Sequence, residues 1–261
     1  MTYKILFLDI DGTILKPDHT YTKLTKQAIS QIKRQGIEIF LATGRPLHEI
    51  GELADELGVE SFIGYNGAFA IYQNKTILDE PMKQSTINEY LSIAKEHGHE
   101  LVFYTSEKNY FTSFDTPIIN KFIETFQVKH NERVNSNVTD QILGITIMNL
   151  DPSQISLYEF EDDIRLAPVN VEGIVNSYDV IRKTVNKGEA IRRVLEHLHI
   201  PQQSAIAFGD GMNDKEMLQI VGEGFAMGNA HPDLIQYAKH QTTTVSESGV
   251  YQGLKKLGLI E

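Results

Sequence analysis

Three short apolar runs end on polar residues, and these runs constrain what the rest of the chain can become. Residues 4–10 (KILFLDI), 37–43 (IEIFLAT) and 204–210 (SAIAFGD) lack the strict alternation of a half-exposed strand. Each reads as a strand buried on both faces. Amphipathic helical segments stand between or after them. LTKQAISQIKRQG places Leu24, Ala28, Ile29 and Ile32 on one face with Gly36 as the expected cap, and LHEIGELADELG closes on Gly58. KGEAIRRVLEHLHI and NDKEMLQIV repeat the pattern toward the C-terminus, and GFAMGN reads as another short strand. Strand–helix alternation of this kind predicts an α/β fold, a Rossmann-like parallel sheet covered by helices on both faces. AFAIYQNKTIL predicts a hairpin turning near Gln73 and Asn74.

Between about Met82 and Val180 the texture changes to a mixture of strand-like and helix-like runs: TINEYLSIAKEHG, ELVFYTS, NYFTSF, PIINKFIETF, LGITIMNL, PSQISLYEF and SYDVI. The expectation is an α+β insert, residues 82–181, interrupting a core made of residues 1–81 and 182–261. Pro81 cannot extend a helix or donate to a central strand, so the connections are expected near Glu80-Pro81 and Arg182-Lys183.

Composition narrows the chemistry. A formal net charge of −11 argues against a nucleic-acid partner, since phosphate backbones are bound by basic surfaces. Small phosphorylated ligands need only a few local donors and stay open. With no cysteine there is no disulfide, thiolate nucleophile or cysteine metal site. The N-terminal stretch is too short for a signal peptide, and no run approaches a membrane span. A cytoplasmic protein with no membrane partner is the simplest reading; oligomeric state is open, with a monomer favoured.

Open α/β sheets bind ligands at the carboxyl ends of their strands. Those ends carry Asp9 and Asp11, Thr43 and Gly44, and Asp210 followed by Asn213 and Asp214. Lys187 opens a helix, where backbone N–H groups also favour anions. Aspartates without cysteine suit a hard cation such as Mg²⁺. Thr43, Lys187, Asn213 and loop N–H groups suit phosphate oxygens. A carboxylate can attack phosphorus, and a metal with a lysine offsets the phosphoryl charge. Two carboxylates at the end of an apolar strand become tolerable if a cation neutralises them.

DIDGTI, LATGR, NKG and GDGMND fall in the order and spacing of the four motifs of the haloacid dehalogenase superfamily. YNGA, AMGNA and SESGV resemble its Cof-type sugar-phosphatase branch, whose α/β cap lies between the second and third motifs. The resemblance implies that Asp9 is the nucleophile and Asp11 the general acid/base. It implies Mg²⁺ on Asp9, the Asp11 main-chain carbonyl and Asp210. Phosphate would meet the N–H of Ile10, Thr43 with the N–H of Gly44, Lys187 and Asn213, with Asp214 orienting Lys187 or a metal-bound water. The expected activity is hydrolysis of small phosphorylated metabolites, sugar phosphates first, through an aspartyl-phosphate. Its rivals are a phosphomutase, a receiver-like phospho-acceptor and an inactive metabolite-binding module.

Asn66-Gly67 is either a plain turn or a substrate-facing loop. His97/His99 and His197/His199 read as cationic side chains near helix ends rather than metal ligands. Tyr104, Tyr110, Phe111, Phe114, Phe122 and Phe126 read mostly as core of the insert, with one or two free to meet a substrate.

Overall fold

A computed structural model describes residues 2–169, 171 and 173–261, and the chain divides into two compact units. The first comprises Met1–Arg45, Ile50–Asp79 and Asn186–Glu261, the second Pro46–Glu49 and Glu80–Val185.

The first half of unit 1 runs β1 (Ile5–Leu8), α1 (Lys23–Arg34), β2 (Glu38–Ala42), α2 (Gly51–Leu57), β3 (Phe62–Gly64), β4 (Phe69–Tyr72) and β5 (Lys75–Asp79). Unit 2 contributes α3 (Gln84–His97), β6 (Glu100–Tyr104), β7 (Asn109–Phe111), α4 (Pro117–Phe126), β8 (Asn131–Arg133), β9 (Gly144–Met148), β10 (Ile164–Pro168) and β11 (Tyr178–Arg182). The chain then completes unit 1 with α5 (Lys187–His197), β12 (Ala205–Gly209), α6 (Lys215–Ile220), β13 (Glu223–Ala226), β14 (His240–Gln241) and α7 (Gly249–Lys256).

The sheet of unit 1 has the order β14-β13-β12-β1-β2-β3-β4-β5, parallel from β14 to β3. β1 is fully buried between β12 and β2, with Leu8 opposite both Phe208 and Leu41. An apolar core of Ile5, Phe7, Phe40, Ile191, Val194 and Ala207 fills one side of it. Strand order runs one way from β1 to β2 and the other way through β12, so the crevice at their carboxyl ends is a topological switch point. β4 and β5 form the expected hairpin, with Gln73 at φ 46° and Asn74 at φ 64°. Two consecutive left-handed residues make a type I′ turn, whose twist matches that of the flanking strands.

Some boundaries differ from the pattern reading. α1 is capped by Gln35, and Gly36 follows at φ 76°. The stretch after Arg45 makes a 3₁₀ turn at Leu47–Glu49 before α2, and PSQISL is also 3₁₀. Periodicity alone does not separate short 3₁₀ pieces from α-helix.

The sheet of unit 2 has the order β10-β11-β9-β6-β7-β8. Leu101, Phe103, Ile145 and Ile147 on one face pack with Ile87 and Tyr90 of α3. Val102, Phe111 and Met148 on the other face pack with Ile119 and Phe122 of α4. The chain segments flanking the unit are tied to each other. The Arg182 guanidinium donates to the carbonyls of Glu80 (2.7 Å), Pro81 (3.4 Å) and Leu143 (3.4 Å). His99 is buried, bonded through Nδ1 to the Tyr158 hydroxyl (2.9 Å) and through Nε2 to Gln154 (3.1 Å). Burial lowers its pKa below the ordinary 6.5. That corrects the reading of His99 as a helix-end cation: it sits one residue past the αL cap Gly98 and turns inward.

Candidate active site

Asp9 follows β1 directly, and its N–H extends the ladder to the Phe208 carbonyl at 3.1 Å. Asp210 stands one residue past β12, so the pairing of β1 with β12 brings both aspartates to one crevice. Gly12 turns the chain there at φ 80°, a conformation that glycine adopts without steric cost. A Cβ at Gly12 would overlap the Asp210 carboxylate, so the residue type is dictated by space as well as by φ.

Lys187 is the first residue of α5, whose cap Asn186 accepts from the Glu189 N–H at 2.9 Å. Its ammonium is fully buried and donates to Asp9 Oδ1 and to Asp214 Oδ1, both at 2.6 Å. Asp214 Oδ2 accepts from the N–H groups of Asp210 (2.9 Å) and Gly211 (3.0 Å). Asp214 therefore holds Lys187 with one oxygen and shapes the GDGMND loop with the other. Asp9 Oδ2 has no hydrogen bond among the described residues.

The electrostatics are unbalanced in one direction. Oxygens of Asp9, Asp210 and Asp214 lie within 4.8 Å of one another, against the single positive charge of Lys187. Burial, then the neighbouring Asp214, pushes Asp210 up to about 6. Burial and Asp214 also raise Asp9, while Lys187 opposes them. Lys187 itself is held charged by its two carboxylates, which outweigh the burial that would lower it. A donor set of carboxylate oxygens with surplus negative charge fits a hard divalent cation. Two of Asp214's lone-pair directions are already committed to N–H groups, which leaves Asp9 and Asp210 as the freer oxygens.

Asp11 is not a member of that cluster. Its side chain is half exposed and pairs with Arg45 through two hydrogen bonds. Thr43 follows β2 and is buried; its Oγ1 accepts from the Arg45 N–H at 3.0 Å. Asn213 Nδ2 donates to Asn66 Oδ1 at 2.9 Å, and the Asn66 amide lies against Gly44. The structure thus places Asp9, Asp210, Asp214 and Lys187 in direct contact. Thr43, Gly44 and Asn213 form a second group joined through Asn66.

Four residues of this rim escape strand-end reasoning. Arg45 lies just past the second motif. Asn66, which the pattern leaves between turn and functional loop, holds φ 54° and bonds Asn213. Gly67 behind it, at φ 106°, has no room for a Cβ against the Asn186 carbonyl. Asn229 donates to the Gly12 carbonyl (2.9 Å) and Asp210 Oδ2 (3.2 Å), and accepts from the Val245 N–H (2.8 Å). The only signal for Asn66 and Asn229 was their presence in YNGA and AMGNA.

A parallel sheet with a carboxylate-rich, lysine-bearing crevice at its switch point defines an α/β phosphoryl-transfer hydrolase. The chain belongs to the haloacid dehalogenase-like hydrolases, whose family model matches residues 6–254, and it is a phosphatase of that type. A Bacillus subtilis protein named "Putative phosphatase YkrA" is 33% identical over 267 residues, covering 100% of both chains. The B. subtilis 5-amino-6-(5-phospho-D-ribitylamino)uracil phosphatase YitU is 27% identical, with 97% of this chain and 96% of that protein covered. A crystal structure of a hypothetical protein from Geobacillus kaustophilus superposes with a TM-score of 0.89 at 30% identity, over 99% of this chain and 100% of that one. Members of the family generally use a metal ion. Among the described residues no helix is long and apolar enough to cross a membrane.

Proposed function

We propose that the protein is a Mg²⁺-dependent phosphatase of small phosphorylated metabolites, sugar phosphates first, acting through an aspartyl-phosphate on Asp9. The observation that carries the reading is the buried Asp9–Lys187–Asp214 chain beside Asp210: a carboxylate held in place by an ammonium, within a site still short of positive charge. Unit 1 is the catalytic core in this reading. The insert, residues 82–181, is a cap that carries substrate specificity.

An Asp9 carboxylate oxygen attacks phosphorus as the bond from phosphorus to the ester oxygen breaks, and Asp11 gives its proton to the departing alkoxide. Water then attacks the acyl phosphate while Asp11 takes back a proton, releasing inorganic phosphate and restoring Asp9. Lys187 orients Asp9 and favours its charged form against the burial and the neighbouring Asp214 that oppose it. The N–H of Ile10, Thr43 with the N–H of Gly44, and Asn213 hold the transferring group, and Asp214 positions Lys187. Asp9, Asp210 and the main-chain carbonyl of Asp11 would hold Mg²⁺, which supplies charge neutralisation at the phosphoryl oxygens.

Support for a polyhydroxylated substrate comes from relatives. YitU is named for a phosphorylated ribityl compound. A further structure sharing the fold, at a TM-score of 0.82 and 24% identity, is described as a subclass IIB sugar phosphatase.

The test is phosphate release from a panel of sugar and alditol phosphates, before and after chelation. Activity is expected to disappear in excess chelator, to return with Mg²⁺ and to return poorly with Ca²⁺, whose larger and looser shell misaligns Asp9. Full turnover in excess chelator refutes the metal assignment. Isomer formation without free phosphate would make the protein a mutase instead.

A further inference from the structure

Asn229 stands on a turn fastened to the end of β12. The Met227 N–H donates to the Gly209 carbonyl at 3.0 Å and the His231 N–H to the Asp210 carbonyl at 2.9 Å, so the turn is held on both sides of the asparagine. Gly228 lies against the backbone of Thr243 and Thr244, where a Cβ would have no room. Backbone bonds and backbone packing therefore place Asn229 before its side chain makes any contact.

The side-chain amide joins three loops. Its Oδ1 accepts from the Val245 N–H at 2.8 Å. An N–H group needs an oxygen opposite it, so this bond fixes which end of the amide is which. The Nδ2 protons then meet two acceptors, the Gly12 carbonyl at 2.9 Å and Asp210 Oδ2 at 3.2 Å. Gly12 follows Asp11 directly, so the amide spans the two loops that carry the Asp11 carbonyl and the Asp210 carboxylate.

These bonds sort the oxygens of the crevice. The Asp210 N–H is held by Asp214 Oδ2, its carbonyl by His231 and its Oδ2 by Asn229. Asp210 Oδ1, Asp9 Oδ2 and the Asp11 carbonyl accept no hydrogen bond among the described residues. They belong to the three residues proposed above to hold the ion. Asn229 itself is exposed, so water could satisfy its amide and its bonds add little to stability. What the bonds do is fix geometry.

We propose that Asn229 is a positioning residue for the metal: one amide holds the Gly12 turn and the Asp210 carboxylate at a fixed separation and so tunes the site to a small ion. The proposal rests on the Mg²⁺ reading given above and deepens it. Mg²⁺ demands near-ideal octahedral geometry at short distances, whereas Ca²⁺ accepts a larger and looser shell. Without Asn229, Asp210 and the Gly12 turn are free to drift apart, which Mg²⁺ tolerates less than Ca²⁺ does. Asn229 touches neither ion nor substrate in this reading and acts through the groups it holds.

Titration calorimetry of the metal-free protein with Mg²⁺ alone and with Ca²⁺ alone decides it. In Asn229→Ala the Mg²⁺ dissociation constant is expected to rise about 10- to 100-fold, the usual scale for residues that orient metal ligands, and the Ca²⁺ constant by about threefold at most. The Mg²⁺ concentration giving half-maximal hydrolysis of p-nitrophenyl phosphate should rise in step. Val245→Pro removes the N–H that fixes Oδ1 and leaves Asn229, Asp210 and every proposed ligand unchanged. Val245 opens a 3₁₀ turn and Thr244 before it has ψ 163°, so proline fits the backbone there. This variant should show the same Mg²⁺-selective loss, smaller in size. Both variants should melt within a few degrees of the parent in chelator, which separates a selective loss from a damaged fold.

If the parent binds Mg²⁺ and Asn229→Ala binds it as tightly, or loses Mg²⁺ and Ca²⁺ alike, the proposal alone falls and the metal reading stands. If the parent binds neither ion and hydrolyses phosphate esters undiminished in excess chelator, the metal reading falls and takes the proposal with it.

Discussion

Arg45 grips Asp11 with both arms of its guanidinium: Nε donates to Oδ2 at 2.7 Å and Nη2 to Oδ1 at 2.5 Å. The two residues come from the ends of adjacent strands, β1 and β2, and the pair orients the one motif aspartate that stands outside the acidic cluster. Bidentate arginine–carboxylate geometry fixes a carboxylate plane better than a lysine can. Both side chains are part-exposed, so the pair adds little stability. Arg45→Met should therefore leave the melting temperature almost unchanged. Turnover of alkyl phosphates should fall about tenfold, a fraction of what general acid/base catalysis contributes. Unchanged turnover would show that the grip is incidental.

Asp9 and Asp11 separate by task. Asp11→Asn keeps the main-chain carbonyl but cannot transfer a proton, so alkyl phosphate turnover should fall about 10²–10⁴-fold. An activated aryl phosphate needs little protonation of its leaving group, so the first step should survive and phosphorylated Asp9 should accumulate, visible as a gain in protein mass. Asp9→Asn should abolish turnover and trap nothing. Alkyl phosphate turnover left intact in Asp11→Asn would break the division of labour.

Lys187 is the counter-charge for two buried carboxylates. Lys187→Met leaves both without it, and breaking a buried pair from one side costs about 3–5 kcal/mol. Denaturant unfolding in chelator should show a loss of this size. Adding Asp214→Asn to Lys187→Met should recover part of it, because one uncompensated charge is then removed. A single variant as stable as the parent would mean that the site relaxes to admit water.

His99 makes unit 2 sensitive to acid. Burial sets its folded-state pKa below the unfolded 6.5, so the unfolded chain binds a proton more readily than the folded one. Its contribution is fully present above about pH 6.5 and is lost as pH falls through that value toward the folded pKa, with a slope of at most about 1.4 kcal/mol per pH unit. Hydrogen-exchange protection of β6 and β9 should weaken between pH 7.5 and 5.5. In His99→Gln, which cannot titrate, that slope should flatten. The same slope in both proteins would assign the effect to other groups.

What could be read without coordinates followed from covalent order and side-chain chemistry. Uninterrupted apolar runs such as Ile5–Leu8 require burial on both faces, and a buried strand cannot end on aspartates except at a wet or charge-compensated rim. The parallel core and a rim carrying Asp9, Asp11, Asp210 and Asp214 follow from that argument, while the hairpin near Gln73 and Asn74 follows from turn chemistry and Lys187 from its place at a helix start. The tertiary structure alone decided the pairings. Nothing in LATGR says that Arg45 reaches Asp11, or that Asn66 and Asn229, far along the chain, bond Asn213 and Asp210. Those contacts depend on loops whose course is set by packing against other segments, as Gly67 is set against Asn186. Likewise Tyr104 reads as one more aromatic of the insert. Only the register of β6, β9 and β11 lines its hydroxyl up with Thr146 and Asp179, because a shift of one residue would send each of them to the opposite face.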